Sequence, residues 1–147
     1  MTKHTVYLSL GSNLGEKEQH IREAIRLIET EVGQVLRTSS LHVTEPWGFS
    51  SEHTFVNAAV CCTTLLTPQQ VLERTAAIER RMGRTEKSVD GVYHDRIIDI
   101  DILLYDDLRI STPQLTLPHP RMYEREFVMV PLREIMPAAY RMRLQEQ

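Results

Sequence analysis

The sequence predicts an α+β fold: a ferredoxin-like βαββαβ antiparallel sheet with helices packed on it, plus a Pro-rich C-terminal extension. Strand-type and helix-type periodicities follow one another in the order β-α-β-β-α-β, the split pattern that places both helices on one face of the sheet. A length of 147 residues is enough for one core of ordinary size and leaves no room for a second, so residues 1–147 are read as a single domain. Hydrophobic residues at 41% and charged residues at 25% match a globular chain and argue against a disordered, fibrous or membrane one.

Each element has its own signal. Val6 to Leu10 alternates and runs into Gly11-Ser12-Asn13-Leu14-Gly15, a strand leaving into a tight glycine-containing loop. Ile21, Ala24, Ile25 and Ile28 recur at spacings of three and four, which predicts an amphipathic helix stopping near Gly33. Residues 34–44 carry Val35, Leu41 and Val43 among Thr and Ser and predict a strand ending at the turn Glu45-Pro46-Trp47-Gly48. Phe55 to Leu66 is a longer β-branched, apolar run. Thr67-Pro68-Gln69-Gln70 then announces a helix, with Thr67 as cap and Gln70 placed to complete a capping box. Val71, Thr75, Ile78 and Met82 form its buried stripe and Gly83 ends it. Residues 84–96 show no period and predict a loop, functional or mobile rather than inert. Ile97 to Tyr105 is a strand, Asp106-Asp107 turns it into the short run Leu108 to Ile110, and the Pro-rich remainder from Thr112 reads as loop plus short helices.

Composition narrows the function. A net charge of −3 argues against a general nucleic-acid binder, whose phosphate contacts need a clearly basic face, and leaves room for a local basic site. The total conceals a lopsided arrangement, since all six aspartates (Asp90, Asp95, Asp99, Asp101, Asp106, Asp107) fall between positions 90 and 107. Of the 17 basic residues 14 are Arg, the side chain suited to forked contacts with phosphate. Cys61 and Cys62 are neighbours in an apolar run, so they read as small buried hydrophobes in a reducing compartment rather than a disulfide framework. The N-terminal Met-Thr-Lys-His-Thr meets a strand too short for a signal peptide's apolar core, and no stretch reaches the roughly 18 apolar residues of a membrane span. A cytoplasmic protein without membrane or nucleic-acid partners is expected, and a monomer.

The strand at 97–105 is the most informative stretch. Strict alternation would put Ile98, Ile100, Ile102 and Leu104 on one face and Ile97, Asp99, Asp101, Leu103 and Tyr105 on the other. Asp99 and Asp101 would then stand roughly 7 Å apart in an apolar row. Two such anions need cations, either Arg or metal. Oxygen ligands without a His or Cys set suit Mg²⁺, which completes its shell with water and substrate phosphates; the bland reading is a pair of structural carboxylates bonded to Arg or loop amides. Arg84, Lys87 and Arg96 border or lie within the adjoining loop. Metal-bridged phosphate, forked Arg contacts and a closing segment are what phosphoryl transfer requires, which points to a nucleotide-dependent transferase.

A second constellation is flatter and more apolar. Thr44, Pro46, Trp47, Phe55, Asn57 and the distant Phe127 would build a slot for a heterocycle, with Asn57 offering both a donor and an acceptor from mid-strand. There is no G-x-x-x-x-G-K-[ST] loop, no G-x-G-x-x-G, no kinase-like H-R-D set and no paired histidine spacing for zinc. Gly11-Ser12 with a later Asp-x-Asp strand is similar to nucleotidyltransferases related to DNA polymerase beta, although 86 residues separate Ser12 from Asp99. A non-enzymatic ferredoxin-like ligand-binding module is the third reading.

Several motifs in order carry a more specific likeness: Leu10-Gly11-Ser12-Asn13-Leu14-Gly15, Thr44-x-Pro46-x-Gly48, Phe55-x-Asn57-Ala58-Ala59-Val60, Ile78-Glu79 with Gly83-Arg84, Arg96-x-x-Asp99-x-Asp101, and Leu117-Pro118-His119-Pro120. Through nearly its whole length the chain resembles the hydroxymethyl-dihydropterin pyrophosphokinases of folate biosynthesis. The resemblance implies a ferredoxin-like fold and transfer of pyrophosphate from ATP to the pterin hydroxymethyl oxygen, with AMP released. It also implies that Asp99 and Asp101 hold two Mg²⁺ ions around the ATP phosphates and that Arg84 and Arg96 contact ATP and assist the transfer. Lys87, Tyr93, Ile102, Thr116, His119 and Arg125 match ATP-side positions. Phe55 and Phe127 would sandwich the pterin, Asn57 would pair with its polar edge, and Thr44, Pro46 and Trp47 would line the slot. The chain departs from the common pattern at His94-Asp95, where a small pair such as Gly-Pro is frequent, and at Gln114, where Arg is frequent.

Overall fold

A computed structural model describes residues 2–44, 54–83 and 97–137. The strands β1 (His4–Ser12), β2 (Gln34–Thr38), β3 (His42–Thr44), β4 (Phe55–Thr64) and β5 (Asp99–Tyr105) form one antiparallel sheet. Its order is β2-β4-β1-β5, with β3 also pairing to β4 beyond the end of β2. Strands β6 (Ile110–Ser111) and β7 (Thr116–Leu117) make a separate two-stranded ribbon. The helices are α1 (Lys17–Glu31), α2 (Pro68–Arg81) and α3 (Glu126–Ile135), with a 3₁₀ turn at Met122–Glu124 before the last.

The central strands β1 and β4 are apolar on both faces because each face is covered. On one face Val6, Leu8 and Leu10 of β1 pack with Ile21, Ala24, Leu27 and Ile28 of α1 and with Val71 and Ile78 of α2. Burying each large aliphatic side chain in this way contributes about 2 kcal/mol. On the other face Tyr7, Ala59 and Cys61 pack with Val128, Met129, Leu132 and Ile135 of α3. α3 therefore closes the second side of the sheet, a larger role than the short peripheral helix expected there.

Helix signals act as the sequence predicts at α2. The Thr67 hydroxyl accepts from the Gln70 N–H (3.2 Å) and the Gln70 side chain accepts from the Thr67 N–H (2.9 Å), a complete capping box. α1 ends beside Gly33, where close approach rather than a turn requires glycine: a Cβ there would lie 1.9 Å from the Thr63 carbonyl oxygen. At Asp106 the chain turns with φ of 49°, and the carboxylate accepts from the Thr5 N–H at 2.7 Å. The expected Asp106-Asp107 turn is present. The cysteines are free and buried, as expected of small apolar residues, and burial pushes the Cys62 thiol up to about 12.

Gly11 and Ser12, expected in a loop, are the last two residues of β1, because they pair with Asn57 and Val56 of β4; two further expectations need correction. Residues 34–44 are two strands instead of one. Ser39 sits between them and stays tied to β4 through its N–H to the Ala59 carbonyl (2.9 Å) and its hydroxyl from the Ala59 N–H (2.8 Å). The second correction concerns β5. Its register with β1 shifts between Tyr7 and Leu8, so that Tyr7 faces Leu104 and Leu8 faces Ile102, leaving Leu103 as the extra residue of a bulge. Tyr105 consequently joins Ile98, Ile100 and Ile102 on the α1/α2 face, while Leu103 and Leu104 both lie against the α3 cluster. The alternation holds from Ile98 to Ile102, which is the part that carries Asp99 and Asp101.

Candidate active site

Register places the candidate residues. Gly11, in the middle of the sheet, pairs with Asn57 of β4 on one side and with Asp99 of β5 on the other. Two residues along, Ser9 pairs with Ala59 and with Asp101. Directly paired residues of neighbouring strands share a face, so Asn57, Gly11 and Asp99 form one row across three strands, and Ala59, Ser9 and Asp101 form the next. Both rows lie on the face covered by α3, whose cluster contains Ala59. The strand spacing puts Asn57 and Asp99 roughly 10 Å apart.

On the β4 side, Thr44 pairs with Phe55 and His42 with Asn57. Asn57 is nearly buried, and its Nδ2 donates to Thr44 Oγ1 at 2.6 Å, which fixes the amide plane. A Cβ built on Gly11 would meet Asn57 Oδ1 at 3.0 Å and the Phe55 ring at 3.5 Å. Gly11 is thus the floor on which the Asn57 amide and the Phe55 ring rest, a role for the Gly11-Ser12 motif that its loop-like sequence did not suggest. Phe127, in the first turn of α3, packs against the cluster on this same face, and the Arg125 guanidinium lies 5.7 Å from its ring centroid.

On the β5 side, Asp99 and Asp101 are half-buried. Among the described residues strand β5 has no sheet partner on its outer edge, and the Ile100 N–H, which is buried, donates to Glu79 Oε2 of α2 at 2.8 Å. Glu79 is itself only 4% exposed. It anchors the residue between the two aspartates, a role that the sequence alone does not predict. A signal existed: Glu79 stands four residues after Thr75 and beside Ile78 on the buried stripe, where a carboxylate must have partners. Ile102, by contrast, buries its side chain in the α1/α2 core, so only its backbone is placed to meet a ligand at the outer edge.

The segment after β6 docks on that outer side. The His119 N–H donates to the Leu103 carbonyl at 3.0 Å, and His119 Nδ1 accepts from the Arg121 N–H at 3.2 Å. Thr116 is exposed while its neighbour Leu117 is buried in the core. Thr116 and His119 therefore accompany β5, and Arg125 accompanies Phe127. Pro46, Trp47, Arg84, Lys87, Tyr93 and Arg96 lie outside the described residues.

Among the described residues no group of three or more His, Cys, Asp or Glu side chains is gathered as a metal cage. Asp99 and Asp101, two hard oxygen donors on one face, fit a cation that keeps water and takes other oxygens from phosphate, as Mg²⁺ does.

The comparisons with known proteins decide the family. A family model described as 7,8-dihydro-6-hydroxymethylpterin-pyrophosphokinase matches residues 7–137. The chain belongs to this family. Among pyrophosphokinase relatives, the 2-amino-4-hydroxy-6-hydroxymethyldihydropteridine pyrophosphokinase of Porphyromonas gingivalis is 51% identical over 133 residues, 90% of this chain and 90% of that one. The Bacillus subtilis protein of the same name is 43% identical, over 88% of this chain and 76% of the relative. Among solved structures, a Plasmodium falciparum HPPK-DHPS chain superposes with a TM-score of 0.74 at 18% identity, covering 92% of this chain. The chain spans 42% of that longer protein, and the likeness is one of fold.

Proposed function

We propose that the protein transfers pyrophosphate from Mg-ATP to the hydroxymethyl group of 6-hydroxymethyl-7,8-dihydropterin, giving the pterin diphosphate and AMP, a step of folate biosynthesis. The observation that carries this reading is the row Asn57–Gly11–Asp99, because it sets a heterocycle slot one strand away from a carboxylate pair on the same face. A pterin lying along the row would present its exocyclic hydroxymethyl group toward phosphates held at Asp99 and Asp101.

In this reading the pterin ring stacks between Phe55 and Phe127, and Asn57 meets its polar edge, with Thr44, Pro46 and Trp47 around the slot. Thr44 holds the amide of Asn57 in one orientation, so the slot is prepared before the ligand arrives. Asp99 and Asp101 would hold two Mg²⁺ ions, which supply neutralisation of the charge on the bridging and leaving oxygens. The hydroxymethyl oxygen forms a bond to the β-phosphorus and gives up its proton. The bond from that phosphorus to the α,β-bridging oxygen breaks, and AMP departs with the bridging oxygen. Arg84 and Arg96, with Lys87 and Tyr93, would close on the triphosphate from the loop. Ile102, Thr116, His119 and Arg125 would contact ATP from β5 and the segment beside it. We read the chain as one ferredoxin-like domain with a Pro-rich C-terminal extension, acting as a cytoplasmic monomer on small molecules, without nucleic-acid or membrane partners.

Calorimetry with a non-hydrolysable ATP analogue tests the assignment of the carboxylates. Wild-type binding should need Mg²⁺, and Asp99→Asn or Asp101→Asn should remove the Mg²⁺-dependent part while thermal unfolding stays cooperative. Equal binding with and without Mg²⁺ would instead favour a simple ligand-binding module.

A further inference from the structure

The last turn of α3 is fastened to the β2–β3 connection by a carboxylate that the catalytic reading does not use. Glu134 Oε1 accepts from the Ser40 N–H (2.6 Å), and Oε2 accepts from the Ser40 hydroxyl (3.0 Å) and faces His42 Nε2 at 2.8 Å. These contacts hold the Glu134 carboxyl down at about 2, the Ser40 N–H being the largest cause. One residue on, the Ile135 carbonyl accepts from Arg37 Nε of β2 at 2.8 Å. Three residues on the sheet side, Ser40, His42 and Arg37, thus converge on two consecutive residues of one helix end.

The geometry gives this fastening a second consequence. Phe127 and Glu134 are seven residues apart in α3, which places them on the same side of the helix and roughly 10.5 Å apart along its axis. His42 and Thr44 are alternate residues of β3 and share a face, and His42 pairs with Asn57. Glu134 therefore joins the helix that carries Phe127 to the short strand that carries Thr44, at the register position of Asn57. Strand β3 is only three residues long and among the described residues pairs with β4 alone, so that ladder holds it weakly.

We propose that Glu134 is a positioning residue for the pterin slot, setting the separation of its two walls through Ser40 and His42 without touching the substrate. The inference rests on the assignment of Phe55, Asn57 and Phe127 to the pterin. Loss of the clamp leaves α3 held to the sheet by its apolar packing and the Arg37 bond, which permits a small shift of the helix, and a sub-ångström displacement of Phe127 is enough to spoil a stacked fit. Most of the ATP side, Asp99, Asp101, Ile102, Thr116 and His119 on β5 and the segment docked on it, does not depend on this contact; Arg125, at the N-cap of α3 beside Phe127, is the one assigned ATP residue that would move with the helix.

The test measures dissociation constants of the intact protein for 6-hydroxymethyl-7,8-dihydropterin, with a non-hydrolysable Mg-ATP analogue present, and for that analogue alone. Glu134→Ala should weaken the pterin about tenfold and leave the nucleotide within about twofold, since misplacement by a fraction of an ångström is costly only where the fit is lost. His42→Ala, which keeps both Ser40 bonds and so preserves folding, should show a smaller loss of the same kind. His42→Gln, which retains a neutral donor, should recover most of it. Thr67→Ala, which removes the cap of α2 on the opposite face, should lower Tm without changing pterin binding. Unchanged pterin affinity in Glu134→Ala and His42→Ala, or equal weakening of pterin and nucleotide, would overturn the proposal. Failure of the wild-type protein to bind the pterin would overturn instead the functional reading on which it rests.

Discussion

Gly11→Ala is a small change with a worked consequence. The new Cβ would stand 3.0 Å from Asn57 Oδ1 and 3.5 Å from the Phe55 ring. A comfortable carbon–oxygen contact is about 3.4 Å, so the amide must yield by about 0.4 Å while its 2.6 Å bond to Thr44 resists the movement. Overpacking of this kind costs about 1 to 2 kcal/mol. If the strain is relieved by moving Asn57 out of the position proposed to meet the pterin, pterin affinity falls roughly tenfold, since about 1.4 kcal/mol is a factor of ten. Neither Asp99 nor any other β5 atom is among the nearest neighbours of that Cβ, so nucleotide binding should be spared. Calorimetry with the dihydropterin in the presence of a non-hydrolysable Mg-ATP analogue, and with the analogue alone, separates the two effects. Unchanged pterin affinity, or an equal loss for both ligands, would refute the placement of Asn57 over Gly11 as a binding element.

Two further outcomes follow from buried or strongly bonded carboxylates. Glu79→Leu removes the acceptor of the Ile100 N–H and should cost about 2 kcal/mol in urea unfolding, with turnover falling more than nucleotide affinity, whereas Glu79→Gln keeps an acceptor and should lose less of both; equal behaviour of the two variants would remove Glu79 from the anchoring of β5. Glu134 has its carboxyl depressed from 4.5 to about 2, so its stabilisation is present above about pH 4.5 and is lost as pH falls toward about 2. Its side chain is 38% exposed, and solvent screening reduces the contribution to about 1 kcal/mol. The stability gap between wild type and Glu134→Gln should accordingly shrink from about pH 4.5 to about pH 3, and a gap that widens over that interval would contradict the assignment.

Much of the fold was legible because local signals agree with the tertiary structure. Val71, Thr75 and Ile78 of the expected stripe are buried in α2, capped by Thr67 and Gln70 as read, while Met82 is its half-buried C-cap; the isoleucines at 98, 100 and 102 face the helices as alternation requires. The Leu103 bulge was not legible. Leu103, Leu104 and Tyr105 are all apolar, so a slip of one residue leaves no mark on the hydrophobic pattern. The division of residues 34–44 was hidden for a related reason: Ser39 replaces a ladder bond with its side chain, and Ser is common in strands and turns alike. α3 was underestimated because Pro131 stands inside it, and packing of Val128, Met129, Leu132 and Ile135 outweighs the bond that proline removes.

The candidate site divides in the same way. Asp99 and Asp101 were visible as carboxylates in an apolar strand, and Asn57 as a polar residue in another. Their common row could not be read, because it depends on Gly11 as the shared partner of two strands distant in sequence. Glu79 and Glu134 act on backbone groups 21 and 94 residues away, contacts that leave no local pattern.

The central claim, pyrophosphoryl transfer from ATP to the pterin, is tested most directly by phosphorus NMR of the nucleotide products after incubation with Mg-ATP and 6-hydroxymethyl-7,8-dihydropterin. The account predicts AMP and the pterin diphosphate in equal amounts, absent when the pterin is omitted. ADP as the sole nucleotide product, or release of free pyrophosphate with the nucleotide joined to the acceptor, would contradict it.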